Sequence, residues 1–498
     1  MTAGVLASEL GGEGGIEVTV LESPDVGPIG VGEGTWPSMR DTLRGIGISE
    51  SELVRECDAA FKQGSKFAGW AEGGAQDHYY HPFVLPEGYP ELNPASAWMR
   101  RGAQHRYADL VAAQPAICEA GLAPKQFSTP EYAAVANYGY HLDATKLGAM
   151  LRRHAVERLG VRHVVDHMVG VATADDGGIA GLETRANGRL DADFFVDCSG
   201  LRSLLLGGHF GVPKVDCAGV LFNDRALALQ VDYPAPDAPV ACQTISTAQP
   251  HGWIWDIGLP TRRGLGHVYS SGDCSNDEAA ARLLDHARLT GAAAHSLAQT
   301  PREIRLEPGY RRECFVHNCV GIGLAAGFVE PLEASSLVLV ELAASTLAEQ
   351  FPAERGDLPR LARRFNDAFR YRWERVIDFL KLHYAVSRRD DSDYWRRHRD
   401  PATWTDALRD GLPHWRRQAP SRHDLPRAQE IFPAASYQYV MYGLGVRPEP
   451  RAPRRCDAPE RGDAALAEVD QRRRRWLQGL PPHRALLDHI ATRGLPRI

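Results

Sequence analysis

The chain has 498 residues, 44% apolar and 24% charged, with 57 basic against 63 acidic side chains. This composition excludes wholesale disorder, and the slight acidic excess excludes a protein built to coat nucleic acid, because that binding needs Lys and Arg to neutralise phosphates. No run approaches the roughly 20 apolar residues of a membrane span, and the N-terminus has no signal-peptide pattern. We therefore expect a soluble protein of two to four structural units, with no nucleic-acid or membrane partner.

The N-terminal pattern predicts part of a dinucleotide-binding β-α-β unit. A helix is predicted over residues 5–10 and a strand over 16–22. The strand ends in Glu22, where such units place the carboxylate that binds the ribose hydroxyls. Gly4 corresponds to the last glycine of G-x-G-x-x-G. The first strand and the first two glycines are not in this sequence, so we expect an incomplete unit with weakened nucleotide binding.

The remaining elements are predicted in chain order. The patterns indicate a glycine-rich loop over residues 26–37 (the glycine strap), helices over 39–46, 50–59 and 141–159, strands over 161–166 and 179–186, and a buried strand and Ser-Gly turn over 192–200. From about residue 358 the pattern becomes helical and Arg-rich, and we interpret the run 472–475 as a solvated helix face.

The cysteines and lysines give two further indications. The nine cysteines are scattered without a C-x-x-C pair, which favours a reducing cytosol and predicts neither a disulfide framework nor a metal site. Only six basic residues are Lys, and two of them, Lys62 and Lys66, lie four positions apart. Alone, this spacing is typical of two surface lysines. In so Arg-rich a chain, however, a Lys is expected where a compact, titratable amine is needed.

Six short motifs occur in a fixed order. They are residues 29–37 (IGVGEGTWP), 60–67 (AFKQGSKF), 197–200 (DCSG), 251–260 (HGWIWDIGLP), 323–336 (GLAAGFVEPLEASS) and 383–391 (HYAVSRRDD). In this order they resemble the flavin-dependent tryptophan halogenase family, whose signatures include A-F-K-x-x-x-K-F, W-x-W-x-I-P and G-L-x-x-x-F-x-[ED]-P-L-E-S-T-G. A Trp-x-Trp pair alone is more often core packing. The resemblance, however, extends from residue 2 to about 446.

The resemblance implies a fold and its cofactors. The expected fold class is α/β, with mixed α and β elements, in a flavoprotein monooxygenase-like fold with two dinucleotide-binding motifs. Residues 1–355 would form the FAD-binding, halide-activating module, lacking its first strand and carrying an inserted substrate-facing segment at about 70–140. Residues 356–498 would form a mainly helical substrate-binding region. FADH2 from a separate, transiently bound flavin reductase, O2 and chloride or bromide would yield hypohalous acid. The residues expected to hold FAD are Thr2, Ala3, Gly4, Glu22, Gly32, Glu33, Gly34, Asp197, Gly200 and Gly323.

The resemblance also implies catalytic roles. Lys62 matches the family's essential lysine, whose N–H hydrogen-bonds hypohalous acid or whose amine carries the halogen. Glu333 matches a glutamate that orients the oxidant and accepts the ring proton, whereas on its own it would be an acid at a helix start. Trp253 and Trp255 match the pair that keeps substrates from the flavin. Lys66 matches a less critical lysine and is interpreted as structural.

The halide and substrate sites depart from the family pattern. Ser335 and Ser336 replace the Thr-Gly of the family and are expected to bind halide through their backbone N–H groups. If the family's site requires a backbone conformation that only glycine adopts, Ser336 would not adopt it. The residues expected to line the aromatic pocket are His81, Phe83, Phe432 and Tyr437. Phe432 stands where tryptophan-specific members have Trp, and the acid that binds the substrate ammonium has no clear match. We therefore expect an indole-like or larger aromatic substrate rather than free tryptophan.

Two alternatives stay open at this point. A flavin-dependent aromatic hydroxylase is disfavoured because such enzymes bring the substrate to the flavin, which the Trp253–Trp255 wall would prevent. A non-catalytic relative with impaired FAD binding would account for the incomplete first unit. We expect a cytoplasmic two-component enzyme that could form a homodimer.

Overall fold

The helices and strands are taken from a computed structural model, which describes residues 1–27, 32–74, 76–102, 104–449 and 454–497. The helices are α1 Thr2–Leu10, α2 Met39–Gly45, α3 Glu50–Glu56, α4 Pro94–Arg101, α5 Tyr107–Val111, α6 Gln114–Glu119, α7 Ala144–Leu159, α8 Asn276–Leu289, α9 Ser335–Gln350, α10 Leu358–Ala385, α11 Asp393–His398, α12 Asp406–Arg417, α13 Ala434–Gly443, α14 Pro459–Gly479 and α15 His483–Arg493. None of these helices is long and apolar enough to cross a membrane.

The strands fall into one large sheet and several small ones. They are β1 Thr19–Glu22, β2 Glu33–Gly34, β3 Ala60–Lys62, β4 Gly64–Ala68, β5 His78–Pro82, β6 Gly139–Leu142, β7 Arg162–Val165, β8 Met168–Thr173, β9 Ile179–Thr184, β10 Arg189–Asp191, β11 Phe195–Asp197, β12 Lys214–Asp216, β13 Arg225–Asp232, β14 Thr244–Gln249, β15 Gly252–Gly258, β16 Arg262–Tyr269, β17 Arg302–Arg305, β18 Gly309–Arg311, β19 Phe315–Val316, β20 Cys319–Gly321 and β21 Gly327–Phe328.

Most predicted elements are confirmed with shorter bounds, but the helix predicted from residue 141 is wrong at its start. It begins at Ala144, because the carboxylate of Asp143 caps it by accepting the backbone N–H groups of Thr145 and Lys146. His141 lies instead in β6. Residues 28–31 of the glycine strap, which include the motif positions Ile29 and Gly30, lie outside the described residues.

Two pairs of parallel strands lie outside the large sheet. β1 runs parallel to β7, and β11 runs parallel to β20. Among the described strands, no ladder joins these two pairs. Helix α1 packs against α7 and α9. At Gly4 a β-carbon would lie 3.8 Å from side-chain atoms of both Ile46 and Leu159, so this helix fits closely against its neighbours.

The seven-stranded sheet has the order β17-β13-β16-β15-β14-β4-β5. Its two faces differ because side chains alternate along each strand. Ile254 on β15 packs with the apolar side of α8, whereas Trp253 and Trp255 point to the opposite face and join the largest apolar cluster. Gly266 on β16 makes room for one of these rings, since a β-carbon there would lie 2.0 Å from Trp255 Cζ2.

The three-stranded sheet β2-β6-β3 connects the glycine strap with the large sheet. Only Gln63 separates the end of β3 from the start of β4. The chain changes sheets at Gly64, whose φ is +145° and whose β-carbon would lie 2.6 Å from the backbone oxygen of His81. A glycine is therefore required directly after the segment that carries Lys62.

The C-terminal region consists of α10–α15. Helix α10 packs against α13 and β19, while α14 packs against α4, α5 and α6 and α15 packs against α3. The largest apolar cluster contains Trp253, Phe379 and Phe432, which lie on both sides of the domain boundary predicted at residue 355. The C-terminal helices therefore share a core with the N-terminal part of the chain.

Candidate active site

Lys62 lies at the end of β3 with 1% of its surface exposed. Its Nζ lies 5.4 Å from the centroid of the Phe83 ring, close enough for a cation–π contact. Among the described residues, Nζ has no hydrogen-bonded partner. Burial lowers the pKa of Lys62 to about 8, although the charge of Glu333 opposes this shift. The side chain is therefore a buried amine that titrates near neutral pH and keeps its N–H groups available.

Gly34 and Ala334 enclose Lys62 from two other segments. A β-carbon on Gly34 would lie 3.1 Å from Lys62 Nζ and 3.2 Å from Ala334 Cβ. The glycine strap, β3 and the turn before α9 therefore meet at the lysine amine. Three of the predicted motifs, far apart in the chain, converge at this point.

Glu333 lies in a strained turn that leads into α9. Glu333 and Ala334 both have left-handed backbone conformations, with φ of +66° and +53°, which cost energy for residues other than glycine. The indole Nε1 of Trp36 donates to the backbone oxygen of Glu333 at 2.8 Å and holds the turn against the glycine strap. Strain of this kind is found where a site requires a fixed side-chain position.

Two histidines flank the buried carboxylate of Glu333. Nδ1 of His81 donates to Oε1 of Glu333 at 2.7 Å, and Nε2 of His383 lies 3.4 Å from the same oxygen. Ser65 Oγ approaches the other carboxylate oxygen at 3.5 Å. Burial alone would raise the pKa of Glu333, but the charge and hydrogen bonds of His81 and His383 outweigh it and lower the pKa. Glu333 is therefore an oriented, ionised carboxylate.

Each of the two histidines has a further partner. Ser436 Oγ lies 2.9 Å from Nε2 of His81, and Tyr79 donates its hydroxyl to Nδ1 of His383 at 2.6 Å. Glu333 is thus linked to α13 through His81, and to β5 through His383.

Aromatic side chains surround this polar centre. Phe432 stacks on Phe379 with ring centroids 3.8 Å apart and meets the edge of Trp36 at 4.9 Å. Tyr437 packs edge-on against Phe379 at 5.1 Å, and His81 lies 5.6 Å from the same ring. The predicted pocket residues His81, Phe432 and Tyr437 are therefore brought together around Phe379.

Two carboxylates whose charges act on Tyr437 have partners within the protein. Together with burial, Asp378 and Glu430 raise the pKa of this tyrosine. Asp378 pairs with Arg375 at 2.5 Å and accepts the hydroxyl of Thr405. Glu430 accepts the hydroxyl of Tyr371 at 2.6 Å and a backbone N–H. Asp378 is therefore already paired with a cation, and one oxygen of Glu430 already accepts two hydrogen bonds.

The predicted halide residues begin α9. Ser335 and Ser336 occupy its first turn, whose N–H groups have no acceptor within a helix. Ser336 is not among the residues with a left-handed backbone conformation, which in this turn are Glu333 and Ala334. The serine substitutions therefore leave the backbone donors of this turn in place.

Trp253 and Trp255 are both buried on one face of β15, with ring centroids 6.3 Å apart. Gly32 of the glycine strap comes close to this strand, because a β-carbon there would lie 3.6 Å from Ile257 Cγ2. Glu33 follows in β2, where burial raises its pKa to about 7. The strap and the tryptophan face thus lie side by side.

Several residues predicted to hold a dinucleotide have a suitable geometry. Gly200 and Gly323 turn the chain at the carboxyl ends of β11 and β20, with φ of +72° and +67°. Glu22 ends β1 with a half-exposed carboxylate, 2.7 Å from Nε2 of His163. Thr2 and Ala3 form the first turn of α1. Ligands of such sheets bind at the carboxyl ends of the parallel strands, so these residues fit a dinucleotide.

Asp197, one of the residues expected to hold FAD, uses its carboxylate for hydrogen bonds within the protein. Its buried carboxylate accepts the backbone N–H groups of Ser199, Leu205 and Leu206 and the hydroxyl of Ser199. The carboxylate is therefore used to hold the turn that carries Gly200.

Lys66 lies outside the centre formed by Lys62 and Glu333. Its Nζ pairs with Glu119 at 2.5 Å, and Tyr80 donates its hydroxyl to the same carboxylate at 2.7 Å. This ion pair is consistent with the structural role expected for Lys66.

Sequence reasoning missed several residues that contact the centre. They are Trp36, Ser65, Phe379, His383 and Ser436. His383 belongs to a recognised motif, but the motif did not reveal which atom it approaches. Phe379 lies four residues before His383 on α10, and residues four apart share one face of a helix. This spacing was the signal in the sequence that Phe379 faces the same site as His383.

Comparison with known proteins identifies the family of the chain. A family model described as tryptophan halogenase matches residues 1–460. The tryptophan 7-halogenase RebH of Lentzea aerocolonigenes is 31% identical over 514 residues, covering 96% of this chain and 95% of the relative. The crystal structure of a tryptophan halogenase from Shewanella frigidimarina NCIMB 400 is 43% identical with a TM-score of 0.96, covering 100% of this chain and 96% of that one. BrvH, a flavin-dependent halogenase from Brevundimonas sp. BAL3, is 30% identical with a TM-score of 0.85, covering 98% and 97%.

The fold is thus the mixed α/β fold of flavin-dependent halogenases. The chain belongs to the tryptophan halogenase family and is an enzyme. The resemblance inferred from the six motifs is confirmed.

Proposed function

We propose that the protein is a two-component, FAD-dependent halogenase that transfers chlorine or bromine to an indole-like aromatic substrate. The observation that carries this proposal is that the buried amine of Lys62 lies within the electrostatic influence of the ionised carboxylate of Glu333, beside a cluster of aromatic rings. An amine and a base at one place are what electrophilic substitution on a ring requires.

The proposed FAD site includes Thr2, Ala3, Glu22, Gly200 and Gly323, whose positions suit a dinucleotide. The remaining residues proposed for it from the sequence motifs are Gly4, Gly32, Glu33, Gly34 and Asp197. When bound in its reduced form, the flavin supplies the reducing equivalents with which O2 converts halide into hypohalous acid. The sequence has no second nucleotide motif for NADH, which favours a separate flavin reductase. Trp253 and Trp255 exclude the aromatic substrate from the cofactor.

Lys62 receives the oxidant in this proposal. Its N–H groups have no acceptor among the described residues, so one of them is available to hydrogen-bond hypohalous acid. Because its pKa lies near 8, the amine is also available to carry the halogen. Both routes place the electrophilic halogen beside the Phe83 ring, and both require the compact amine that an arginine would not supply.

Glu333 completes the reaction as the base. A carbon–halogen bond forms as the halogen–oxygen or halogen–nitrogen bond breaks, and the ring proton moves to Oε1 or Oε2 of Glu333. His81 orients that carboxylate through its 2.7 Å hydrogen bond. In the hydrogen-bond route, the Lys62 ammonium gives its proton to the departing hydroxide, which leaves as water. In the haloamine route, water left when the haloamine formed, and the nitrogen keeps the electron pair of the broken bond and takes a proton from solvent.

The proposed substrate class follows from the pocket walls. Phe432, Phe379 and Trp36 present apolar ring surfaces, and the carboxylates of Asp378 and Glu430 are already paired. A neutral indole placed against these rings would bury no unpaired charge. A flavin-dependent hydroxylase is disfavoured because Lys62 and Glu333 would have no role in it.

The test is incubation of the purified protein with FAD, NADH, a flavin reductase, bromide and a panel of indoles, followed by mass spectrometry. Monobrominated indoles that depend on every component are expected. Hydroxylated indoles in place of brominated ones would overturn the proposal in favour of the hydroxylase. A matched reaction without bromide separates the two chemistries.

A further inference from the structure

The strand that carries Lys62 has one edge outside its sheet. β3 pairs with β6 along one side only, with Phe61 opposite Tyr140 and Lys62 opposite Gly139. On the other side, the backbone N–H of Phe61 donates to Nε2 of His483 at 3.1 Å. Phe61 is fully buried, so without this ring nitrogen its N–H would have no water to replace the bond.

His483 binds a second backbone segment through its other ring nitrogen, since Nδ1 lies 3.0 Å from the backbone oxygen of Val240. A backbone N–H can only donate and a carbonyl can only accept. The proton of the neutral imidazole is therefore on Nδ1, and Nε2 is the acceptor. His483 is 1% exposed, and burial lowers its pKa to about 4, which keeps this neutral form at assay pH.

The backbone on the other side of Lys62 is anchored in the same place. The N–H of Gln63 donates to the backbone oxygen of Cys242 at 2.7 Å. Both bonds end on the segment 240–242, directly or through His483. The residues before and after Lys62 are thus tied to one support, while the lysine side chain points into the site.

The next residue of α15 keeps this support in position. Arg484 donates to the backbone oxygens of Ala238 at 2.9 Å and Pro260 at 2.6 Å. The start of α15 therefore holds the segment before β14 and the hairpin loop between β15 and β16. This helix lies beyond residue 460, where the family-model match ends.

We infer that His483 is a positioning residue for Lys62: it takes the place of a neighbouring strand at the free edge of β3 and fixes the lysine amine relative to Glu333. The inference rests on the proposed function for its effect on catalysis. The anchoring of β3 itself is a property of the fold. A neutral imidazole is suited to this role because it offers one acceptor and one donor on opposite sides of a rigid ring.

The experiment compares three substitutions at residue 483. His483→Leu removes both hydrogen bonds. His483→Asn keeps a donor for Val240 but has no acceptor that reaches Phe61. It replaces the Leu variant in the experiment if the Leu variant does not fold. His483→Gln offers an amide oxygen for Phe61 and an amide N–H for Val240. His489→Leu, on the same helix but packed against Phe127, is the matched control.

Two readouts are used, and the first is independent of catalysis. Hydrogen exchange of the peptide containing Phe61 and Gln63 should become at least about tenfold faster in the Leu and Asn variants, because a buried N–H has lost its acceptor. The second readout is brominated indole formed per FADH2 oxidised, alongside trapped hypobromous acid. The yield of brominated indole per FADH2 should fall about tenfold in the Leu and Asn variants, while the amount of trapped hypobromous acid persists. In His483→Gln most of the brominated-indole yield should be restored.

Three results would overturn the inference. Unchanged exchange at Phe61 would show that His483 does not hold β3. Faster exchange with an unchanged product ratio would show a purely structural role. An equal loss in His489→Leu would show a general effect of α15. If the parent enzyme forms no brominated product, the proposed function fails, while the exchange measurement still decides whether His483 anchors β3.

Discussion

Oε1 of Glu333 accepts a hydrogen bond from Nδ1 of His81 at 2.7 Å, within a site where both side chains are buried. This bond leaves the carboxylate ionised, because His81 and His383 together outweigh the effect of burial on the pKa of Glu333. A carboxylate held in this way is ready to receive a proton from a substrate ring.

Replacing Glu333 by Gln should lower the rate of ring halogenation by about a hundredfold or more, which is the usual contribution of a positioned base. Single-turnover product formation, measured by mass spectrometry, checks this. Glu341→Gln is the matched control, since Glu341 is also buried and on α9 but bonds to Thr42 and Ser38. A Glu333→Gln variant as fast as the control would remove Glu333 from the mechanism.

Lys62→Ala should abolish halogenated product while hypohalous acid release and flavin binding persist, because only the transfer step needs the amine. Lys66→Ala should retain most activity, since its partner Glu119 lies outside the centre. The measurement is product yield beside oxidant trapping. Halogenation of an indole by Lys62→Ala at more than a few per cent of the parent rate would contradict the role of this residue.

Lys62→Met should stabilise the protein near neutral pH. The pKa of Lys62 falls from 10.5 to about 8 on folding, so below pH 8 the folded state carries a buried ammonium at a cost of about 3 kcal/mol. Between pH 8 and 10.5 the unfolded chain binds more protons, so the free energy of unfolding of the parent rises with pH. Urea titrations at pH 6 and pH 10 should show a gain of about 1–3 kcal/mol at pH 6 that shrinks at pH 10. A pH-independent difference would contradict the lowered pKa.

Indole should be a better substrate than free tryptophan. Among the described residues near Phe432, Asp378 is paired with Arg375 and Glu430 accepts the hydroxyl of Tyr371, so both carboxylates already have protein partners. An ammonium left unpaired in this pocket costs several kcal/mol of desolvation, about a hundredfold or more in kcat/KM. Comparable kcat/KM values for the two substrates would refute this specificity.

Ala334→Gly should stabilise the protein by about 0.5–1 kcal/mol, because Ala334 occupies the left-handed region that glycine adopts without strain. Ala343→Gly, buried in the middle of α9, is the opposite case and should destabilise by about 1 kcal/mol or more. Chemical denaturation of both variants provides the measurement. Destabilisation at both positions would argue against the left-handed turn.

Motifs predicted the centre of the site but not its supports. Lys62 and Glu333 are predicted from the sequence because each belongs to a short motif that matches a signature of the family. The bond between His383 and Tyr79, by contrast, joins α10 to β5 through packing that no local pattern records. His141 was assigned to a helix because the periodic pattern extends past Asp143, and only the capping hydrogen bonds show where that helix begins.

The support for the lysine strand is the furthest from sequence prediction. His483 looks like any histidine at the start of a helix, and its partner Phe61 offers only a backbone N–H, which has no sequence signature. The left-handed conformations of Glu333 and Ala334 also have no sequence signature, because neither residue type favours that region. Long-range backbone contacts and strained turns are set by the whole fold.

The contact between Phe61 and His483 also sets an order of events during synthesis. The two residues are 422 positions apart, so at roughly 5–20 residues per second a ribosome needs about 20 to 85 s to reach the histidine after making the strand. During that interval the outer edge of β3 lacks its native partner, and open strand edges are where nascent chains associate wrongly. Growing the expression host at a lower temperature, or supplying it with more chaperones, should therefore raise the yield of active enzyme more than the yield of total protein.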